Sequence, residues 1–451
     1  INFTVLLKQM TMFSNLIRFT QEKTQYLYEN SLFLQNIDKL IFASVIAVFL
    51  SSTVMSSDVI GFIALITVFL TIVKILTKPH EKLDCKNFEL WLLAYFMIVI
   101  ISLAGSTLFH LSLKGFFKTF TYLAFYFSMV QYLKSNRNKL PYVLAAIGIC
   151  VSFEAVAGFL QNFAHVDEIS TWQDVSKLNP EEVMTRVYGT LKPYNPNLLG
   201  GYFVAGIPSL YALAAYYFAG KKLKFSLTAL AFALLSTITL FLTGCRGSYI
   251  GMMVILISMF AVSAKYLWNN YKQIYLTAVG SVIAFGTAAV LFVSSLRARV
   301  LSIFAMRQDS SNSFRFNVYH SSVEMFKDNW LLGIGVGNQN FREIYGLYMK
   351  TGFDALSAYN IFLEIAVESG IFALIAFMGF LITLIKNSIN FILKSTDTKA
   401  VIISSAAIIS IIAVCIHGLV DTVFFRPQIQ FIFWTMVAVA RTVIFTTDNR
   451  L

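Results

Sequence analysis

The sequence predicts an all-α polytopic membrane protein of about twelve spans with two long extracytoplasmic loops, and three observations carry that reading. The chain is 57% apolar and only 13% charged over 451 residues, against roughly 45–50% and about 25% in soluble domains. Its mean hydropathy is +0.70. Apolar runs of about 18 or more residues recur along its whole length, and each is long enough to cross hydrocarbon as a helix that satisfies its own backbone.

Residues 1–38 are polar-interrupted and lack the basic–apolar–small layout of a cleaved signal. With "LLKQMTMFSNLIRFTQEK" in it, this segment is expected to lie at the cytoplasmic membrane surface as an amphipathic element. Five spans are expected in 39–163, near 39–56, 59–77, 88–107, 115–133 and 141–163. The fourth is the most polar, interrupted by Lys118, Thr119 and Thr121. A loop at 164–197 precedes four spans in 198–295, near 198–219, 224–243, 247–264 and 275–295. The longest loop, 296–357, is expected to carry short helices. Spans near 360–388, 400–421 and 428–446 then fill 358–446 and leave a cytoplasmic tail at 447–451.

Orientation follows from the short loops. Lys74, Lys78, Lys82 and Lys86 surround the second; Lys134, Arg137 and Lys139 mark the fourth; Lys221, Lys222 and Lys224 mark the sixth. Lys265 and Lys272 fall in the eighth, and Lys386, Lys394 and Lys399 surround the tenth. Every even-numbered loop is basic, so these loops and both termini are expected in the cytoplasm, and both long loops outside. Much of the +12 formal charge is accounted for in this way, with no need of a nucleic-acid partner.

Outward-facing arginines have no such topological reason. Arg246 sits in "FLTGCRGSYIGMM" (241–253), between two apolar runs and among small residues that permit close approach. Arg186, Arg297, Arg299, Arg307, Arg315 and Arg342 lie in the long loops and Arg426 in the last outer turn. A guanidinium keeps its charge and forks onto phosphate, so the pattern points to an anionic ligand at the outer face. The four cysteines suggest no disulfide, and no His/Cys or carboxylate spacing suggests a metal. Walker, G-x-G-x-x-G and G-x-S-x-G patterns are absent in the contexts that would make them functional, and "GIGVGNQNF" (333–341) reads as a tight turn.

Five stretches occur in one order: "RVYGTLKPYNPNLLGGYF" (186–203), "LTGCRGSYIG" (242–251), "LLGIGVGNQNF" (331–341), "AYNIFLEIAVESGIFALI" (358–375) and "IHGLVDTVFFRPQIQFIFW" (416–434). That order resembles the O-antigen ligase and polymerase superfamily, bacterial inner-membrane glycosyltransferases with a GT-C-like fold. The resemblance covers roughly 180–435. It implies transfer or polymerisation of a glycan from an undecaprenyl-pyrophosphate carrier at the outer leaflet, on the periplasmic or exterior side. The acceptor would be another glycan or a lipid A core, with membrane lipids as the surroundings and no metal or other cofactor. It also implies that arginines hold the pyrophosphate. Arg246 keeps the family's Ser-Arg-Gly as Cys245-Arg246-Gly247, and Arg297 with Leu301 fits a motif of the large loop; Arg186 and Arg315 are further candidates, with Asn197 and Asn360 as other substrate contacts.

One departure matters. Ligases of the family place a histidine, the proposed base, eleven positions before a glycine; here Gly370 is preceded at that distance by Tyr359. A free phenol titrates near pH 10, so Tyr359 would need help, such as clustered arginines, to act as a base. Either Tyr359 is tuned or positions the acceptor, or another outer group takes the proton (His417, Glu364, Glu368 or His320), or ligase chemistry is absent. His417 with Asp421, spaced i and i+4, is the foremost substitute. The reaction expected is a single in-line displacement in which fixed positive charge stabilises the departing pyrophosphate. The alternative of another class is a transporter for a small anion or a lipid-linked sugar, against which stand the lack of duplicated halves and of paired broken helices. Ligase and polymerase are not separable at this level.

Overall fold

The computed structural model describes residues 3–164, 186–306 and 309–445, and among these every regular element is helical. Most of the 164–197 loop, Arg307 and the tail at 447–451 lie outside the described residues. α1 (Phe3–Asn30) and the single turn α2 (Leu32–Gln35) lead into α3 (Ile37–Val54) and α4 (Ser57–Thr77). α1 is tied to the end of α4, because Gln21 Nε2 donates to the carbonyls of Ile75 at 2.7 Å and Glu81 at 2.9 Å. α5 (Glu89–Gly105), α6 (Phe109–Ser135) and α7 (Leu140–Gln161) follow, then α8 (Pro196–Ala219), α9 (Leu223–Leu242), α10 (Arg246–Leu267) and α11 (Lys272–Phe292).

The long loop is folded. α12 (Ser294–Ile303), α13 (Ser310–Asp328) and α14 (Asn338–Tyr345) gather a small core of Phe314, Val318, Met325, Ile334, Phe341 and Tyr345. The chain returns through α15 (Ile361–Lys394), α16 (Thr398–His417) and α17 (Pro427–Phe445).

Ten of these helices are long and apolar enough to span a membrane, against the twelve spans expected. The two exceptions have physical reasons. α5 is apolar but has 17 residues, about 26 Å of helix; α6 carries Lys114 and Lys118 inside its length. Most expected span boundaries fall within about three residues of the helix ends, but α6 begins at Phe109 rather than 115, α15 runs on to Lys394 rather than 388, and α16 stops at His417 rather than continuing to 421. Gly418 caps it, and any side chain there would collide with Ile361.

Close packing at the centre depends on small residues. α8 is buried along most of its length, and Ser410 of α16 donates to its Ala205 carbonyl at 2.6 Å. α15 breaks at Gly370, whose φ of +81° excludes ordinary side chains. The break frees backbone groups to hold the loop that precedes α14: Ile334 N donates to Val367 O at 3.0 Å, Gly335 N to Glu368 O at 2.9 Å, and Ile371 N to Trp330 O at 2.8 Å.

The basic loops gather at one end. Lys74 and Lys78 pair with Asp38 at 2.8 and 2.7 Å, Lys134 with Glu81 at 2.8 Å, and the buried Arg441 with Asp84 at 2.6 Å. Burial pushes the Asp84 carboxyl up, but Arg441 and Lys86 more than offset this and leave it below its ordinary value. Several of these lysines are thus ion-paired across loops. The arginine pocket lies at the other end of the same helices.

Candidate active site: an arginine-lined pocket

Five segments distant in sequence meet in one cavity of about 380 Å³. Its floor starts with the segment 186–197, which two α7 side chains hold. Gln161 Oε1 accepts from the backbone N–H groups of Tyr188 at 3.1 Å and Gly189 at 2.9 Å, and its Nε2 donates to Gly189 O at 2.9 Å. Glu154 Oε2 accepts from Thr190 N at 2.9 Å, and the Thr190 hydroxyl lies 2.6 Å from Oε1. Asn195 then caps α8, accepting from Asn197 N at 2.8 Å, with Pro196 in the first turn.

That segment delivers Arg186 and Asn197. Arg186 Nε donates to Thr243 O at 2.7 Å, and its Nη2 donates to Asn197 Oδ1 at 2.5 Å. Asn197 Nδ2 in turn donates to Asp421 Oδ2 at 3.1 Å. Arg186 runs across Gly244, whose φ of +61° makes the turn between α9 and α10; a Cβ there would sit 3.1 Å from the Arg186 side chain. Gly247 has a comparable reason, since a Cβ would come 2.7 Å from the His417 ring. These two glycines explain the small residues around Arg246.

Arg246 begins α10 and is already partnered. Its Nη1 lies 2.9 Å from Asp309 Oδ1 and donates to Ser302 Oγ at 3.1 Å, which ties α10 to the α12–α13 turn. Arg299 of α12 is 8% exposed and lines the same cavity. Arg315 of α13 donates to Ser311 Oγ at 2.8 Å, stands 3.7 Å from Asp421 Oδ2 and lies over the Tyr359 ring at 5.9 Å. With Arg426 the lining has five guanidiniums, and Asp421 is the one carboxylate among the described lining residues. Burial holds Arg186 below its ordinary value. Burial, joined by Arg186 and Arg246, brings Arg299 down to about 10. Crowded cations of this kind are relieved by an incoming polyanion.

Several sequence-derived candidates land elsewhere. Arg297 is exposed, donating to Leu291 O at 3.2 Å, and Arg299 occupies the pocket in its place. The two sit about 200° apart on one helix, so only one faces inward. Leu296 and Val300, which pack on the core, lie midway between the two arginines on the helical wheel, so the local pattern held no signal for choosing Arg299. Arg342 is an exposed partner of Asp354. Asn360 is a helix cap, its Oδ1 accepting from the Phe362 and Leu363 N–H groups at 3.0 and 3.1 Å. Glu368 Oε1 accepts from Gly337 N at 2.8 Å and so holds the glycine turn, outside the pocket lining. Glu364 is buried outside the pocket lining, and His320 is exposed outside it.

Tyr359 does line the pocket, with φ of +54° and its ring packed edge-on against Phe314 at 5.5 Å. The help that a phenol base would need is missing. Burial and the Asp421 charge push the phenol up to about 12, and Arg315 does not compensate. His417 is 2% exposed and stands behind the wall, outside the lining. Its Nε2 is 3.7 Å from Cys245 Sγ and 3.4 Å from Ser248 Oγ.

Spacing brought out His417 with Asp421, but it missed Cys245, whose donor atom lies within 4.8 Å of theirs. Asp421 Oδ1 already accepts from Thr422 N at 2.8 Å and Val423 N at 3.3 Å, and arginines flank the group. Of the three, Cys245 and His417 are in contact, while Asp421 is engaged by backbone N–H groups and Asn197.

Residues 231–378 match the family model described as O-antigen ligase. No curated protein matches the chain. The O-antigen ligase match includes Arg246, Arg299, Arg315 and Tyr359. It supports the O-antigen ligase and polymerase superfamily for this membrane chain, and O-antigen ligase-type glycan transfer as its general function.

Proposed function

We propose that the protein transfers a glycan from an undecaprenyl-pyrophosphate carrier to an acceptor hydroxyl at the outer leaflet of a bacterial cytoplasmic membrane. The observation that carries this reading is the convergence of Arg186, Arg246, Arg299, Arg315 and Arg426 on one cavity. Pyrophosphate leaves with several negative charges, and preorganised guanidiniums stabilise that developing charge without proton transfer to the leaving group. In the same cavity Asp421 is placed to draw the proton from the acceptor hydroxyl as it attacks the anomeric carbon. Asn197, held between Arg186 and Asp421, sets the distance between anion grip and base. Tyr359 positions the acceptor and donates, since a phenol titrating at about 12 holds its proton at neutral pH.

Incubating the purified chain with undecaprenyl-pyrophosphate-linked glycan and an acceptor sugar should yield glycosylated acceptor and free lipid pyrophosphate. The yield should persist in excess EDTA, because the charge is supplied by arginines. Activity that vanishes in EDTA and returns with magnesium or manganese would overturn the arginine grip as sufficient.

Sidedness has its own test. A cysteine introduced at the exposed Thr351 should react with an impermeant maleimide in intact spheroplasts, while Cys85, exposed near the basic loops, should react only after lysis. The reverse order would place the pocket on the cytoplasmic side.

A further inference from the structure

Glu154 of α7 is fully buried, and the hydrogen bonds around it do not balance if it is ionised. Thr190 Oγ lies 2.7 Å from Thr53 O and 2.6 Å from Glu154 Oε1. A hydroxyl carries one proton. Thr53 O belongs to the last turn of α3, where carbonyls lack a helical partner, and as a carbonyl it can only accept. Thr190 therefore donates to Thr53 O, and the proton in the shorter contact has to come from Glu154. A carboxylate would set two lone-pair-bearing oxygens against each other at hydrogen-bond distance. A carboxylic acid fits both contacts: its Oε1–H donates to Thr190 Oγ, while Oε2 accepts from Thr190 N at 2.9 Å.

The surroundings agree. Among the described residues no cation faces Glu154; the titratable groups that do are Cys150, one turn earlier on α7, and Tyr202 of α8. An unpaired ionised carboxylate is costly in such a place. Gln161, seven positions on and so on the same face of α7, holds the preceding peptides in the same way, with its oxygen accepting and its N–H donating. The approach is close, since φ is +66° at Gly189 and a Cβ there would run into Glu154 Oε2.

We propose that Glu154 is a positioning residue that works as a neutral acid: its proton, relayed through Thr190 to the end of α3, fastens the segment that carries Arg186 into the arginine cavity. This rests on the reading of that cavity as an anion site. Val187 N donates to Leu242 O at 3.3 Å and Arg186 Nε to Thr243 O at 2.7 Å, so the segment is stitched to the end of α9 on one side and to α7 and α3 on the other. Once Glu154 is ionised, the Thr190 hydroxyl has to turn to the carboxylate and leave Thr53 O without a partner, or the segment lifts. The neutral form grips, so the grip is present at low pH and is lost as pH rises through the titration of Glu154. Glutamine reproduces the neutral form at every pH, with Nε2 donating to Thr190 Oγ and Oε1 accepting from Thr190 N.

The experiment uses the full chain in detergent, with inorganic pyrophosphate as the probe. The infrared difference spectrum of wild type minus Glu154→Gln at neutral pH should show the carbonyl stretch of a protonated carboxyl, shifted in heavy water. By calorimetry, Glu154→Gln should bind pyrophosphate within about threefold of wild type, and Glu154→Ala and Thr190→Val about tenfold more weakly. Thr190→Val keeps the backbone N–H and the side-chain volume, and so covers the case in which Glu154→Ala fails to fold. The wild-type affinity should fall relative to that of Glu154→Gln at the pH where the neutral-acid band disappears; pyrophosphate's own titration cancels in that ratio. Carboxylate bands in the difference spectrum, a Glu154→Gln variant as weak as Thr190→Val, or loss of the band without a fall in the ratio would each overturn the proposal. Wild type that binds no pyrophosphate would instead sink the anion-site reading. The band, and thermal unfolding midpoints in which the same ordering of variants is expected, would then still decide on Glu154.

Discussion

Arg299→Ala should lower glycan transfer by about 10²–10³-fold, while Arg297→Ala should stay within a few-fold of the parent. The two arginines are two positions apart on α12, and only Arg299 is buried in the cavity wall. Removing it takes one fixed cation from the place where pyrophosphate charge develops. Arg297, by contrast, bonds to a carbonyl of its own chain at the exposed side of the helix. Arg299→Lys should recover little, because an ammonium cannot supply the planar fork, and its strongly hydrated charge is costlier to bury. The measurement is initial rate with lipid-linked donor, alongside donor affinity. A severe Arg297 phenotype with a mild Arg299 one would mean that α12 turns its other face to the substrate.

Arg246 belongs to a different category from Arg299, although it drew attention first in the sequence. Its pairing with Asp309 at 2.9 Å means that it both faces the anion site and pins the large loop to α10. Replacing it removes a loop tether together with a charge. Its loss alone therefore separates binding from architecture less cleanly than the loss of Arg299.

The helices were legible because apolar length is a local property. α3, α4 and α7 to α11 could be read from runs of about 18 or more residues, whereas α5 and α6 show where that rule thins out. Helix ends were harder. α16 was read as reaching Asp421, but Gly418 packs against Ile361, a residue far away in sequence that no periodicity can reveal. The candidate site was legible in kind but not in assignment. Arginines away from the basic loops pointed to a shared site, and Arg186, Arg246, Arg315 and Asn197 do meet in one cavity. Which arginine of α12 turns inward, and that Asn197 bonds to Asp421 across 224 positions, are tertiary facts. Glu368 and Asn360 illustrate the converse, residues whose structural partners no spacing reveals. Both are polar residues near a motif; Glu368 accepts from Gly337 N at the start of α14, and Asn360 accepts from the first N–H groups of α15.

Asp421→Asn should cost about 10²–10⁴ in turnover with donor affinity nearly unchanged. The amide keeps an oxygen for the N–H groups of Thr422 and Val423, so the turn after α16 can persist. It cannot accept the acceptor's proton as a carboxylate does. Tyr359→Phe should remain within about tenfold, since the phenol is held near 12 and its ring packing on Phe314 survives the change. The pH profile separates the two. Were Tyr359 the base, its active form would be the phenolate, and the rate would climb about tenfold per unit through neutral pH towards 12. A profile without that climb, together with a dead Asp421→Asn and a live Tyr359→Phe, assigns the proton to Asp421. His417→Gln provides the third arm. The imidazole sits behind Cys245 and Ser248 with no face on the cavity, so its loss should weaken transfer less than the loss of Asp421. If His417→Gln were instead as severe as Asp421→Asn, and both variants still bound lipid-linked donor, the proton would have to travel from the cavity through Cys245 or Asp421 to the ring. The base would then be the trio of Cys245, His417 and Asp421 acting together.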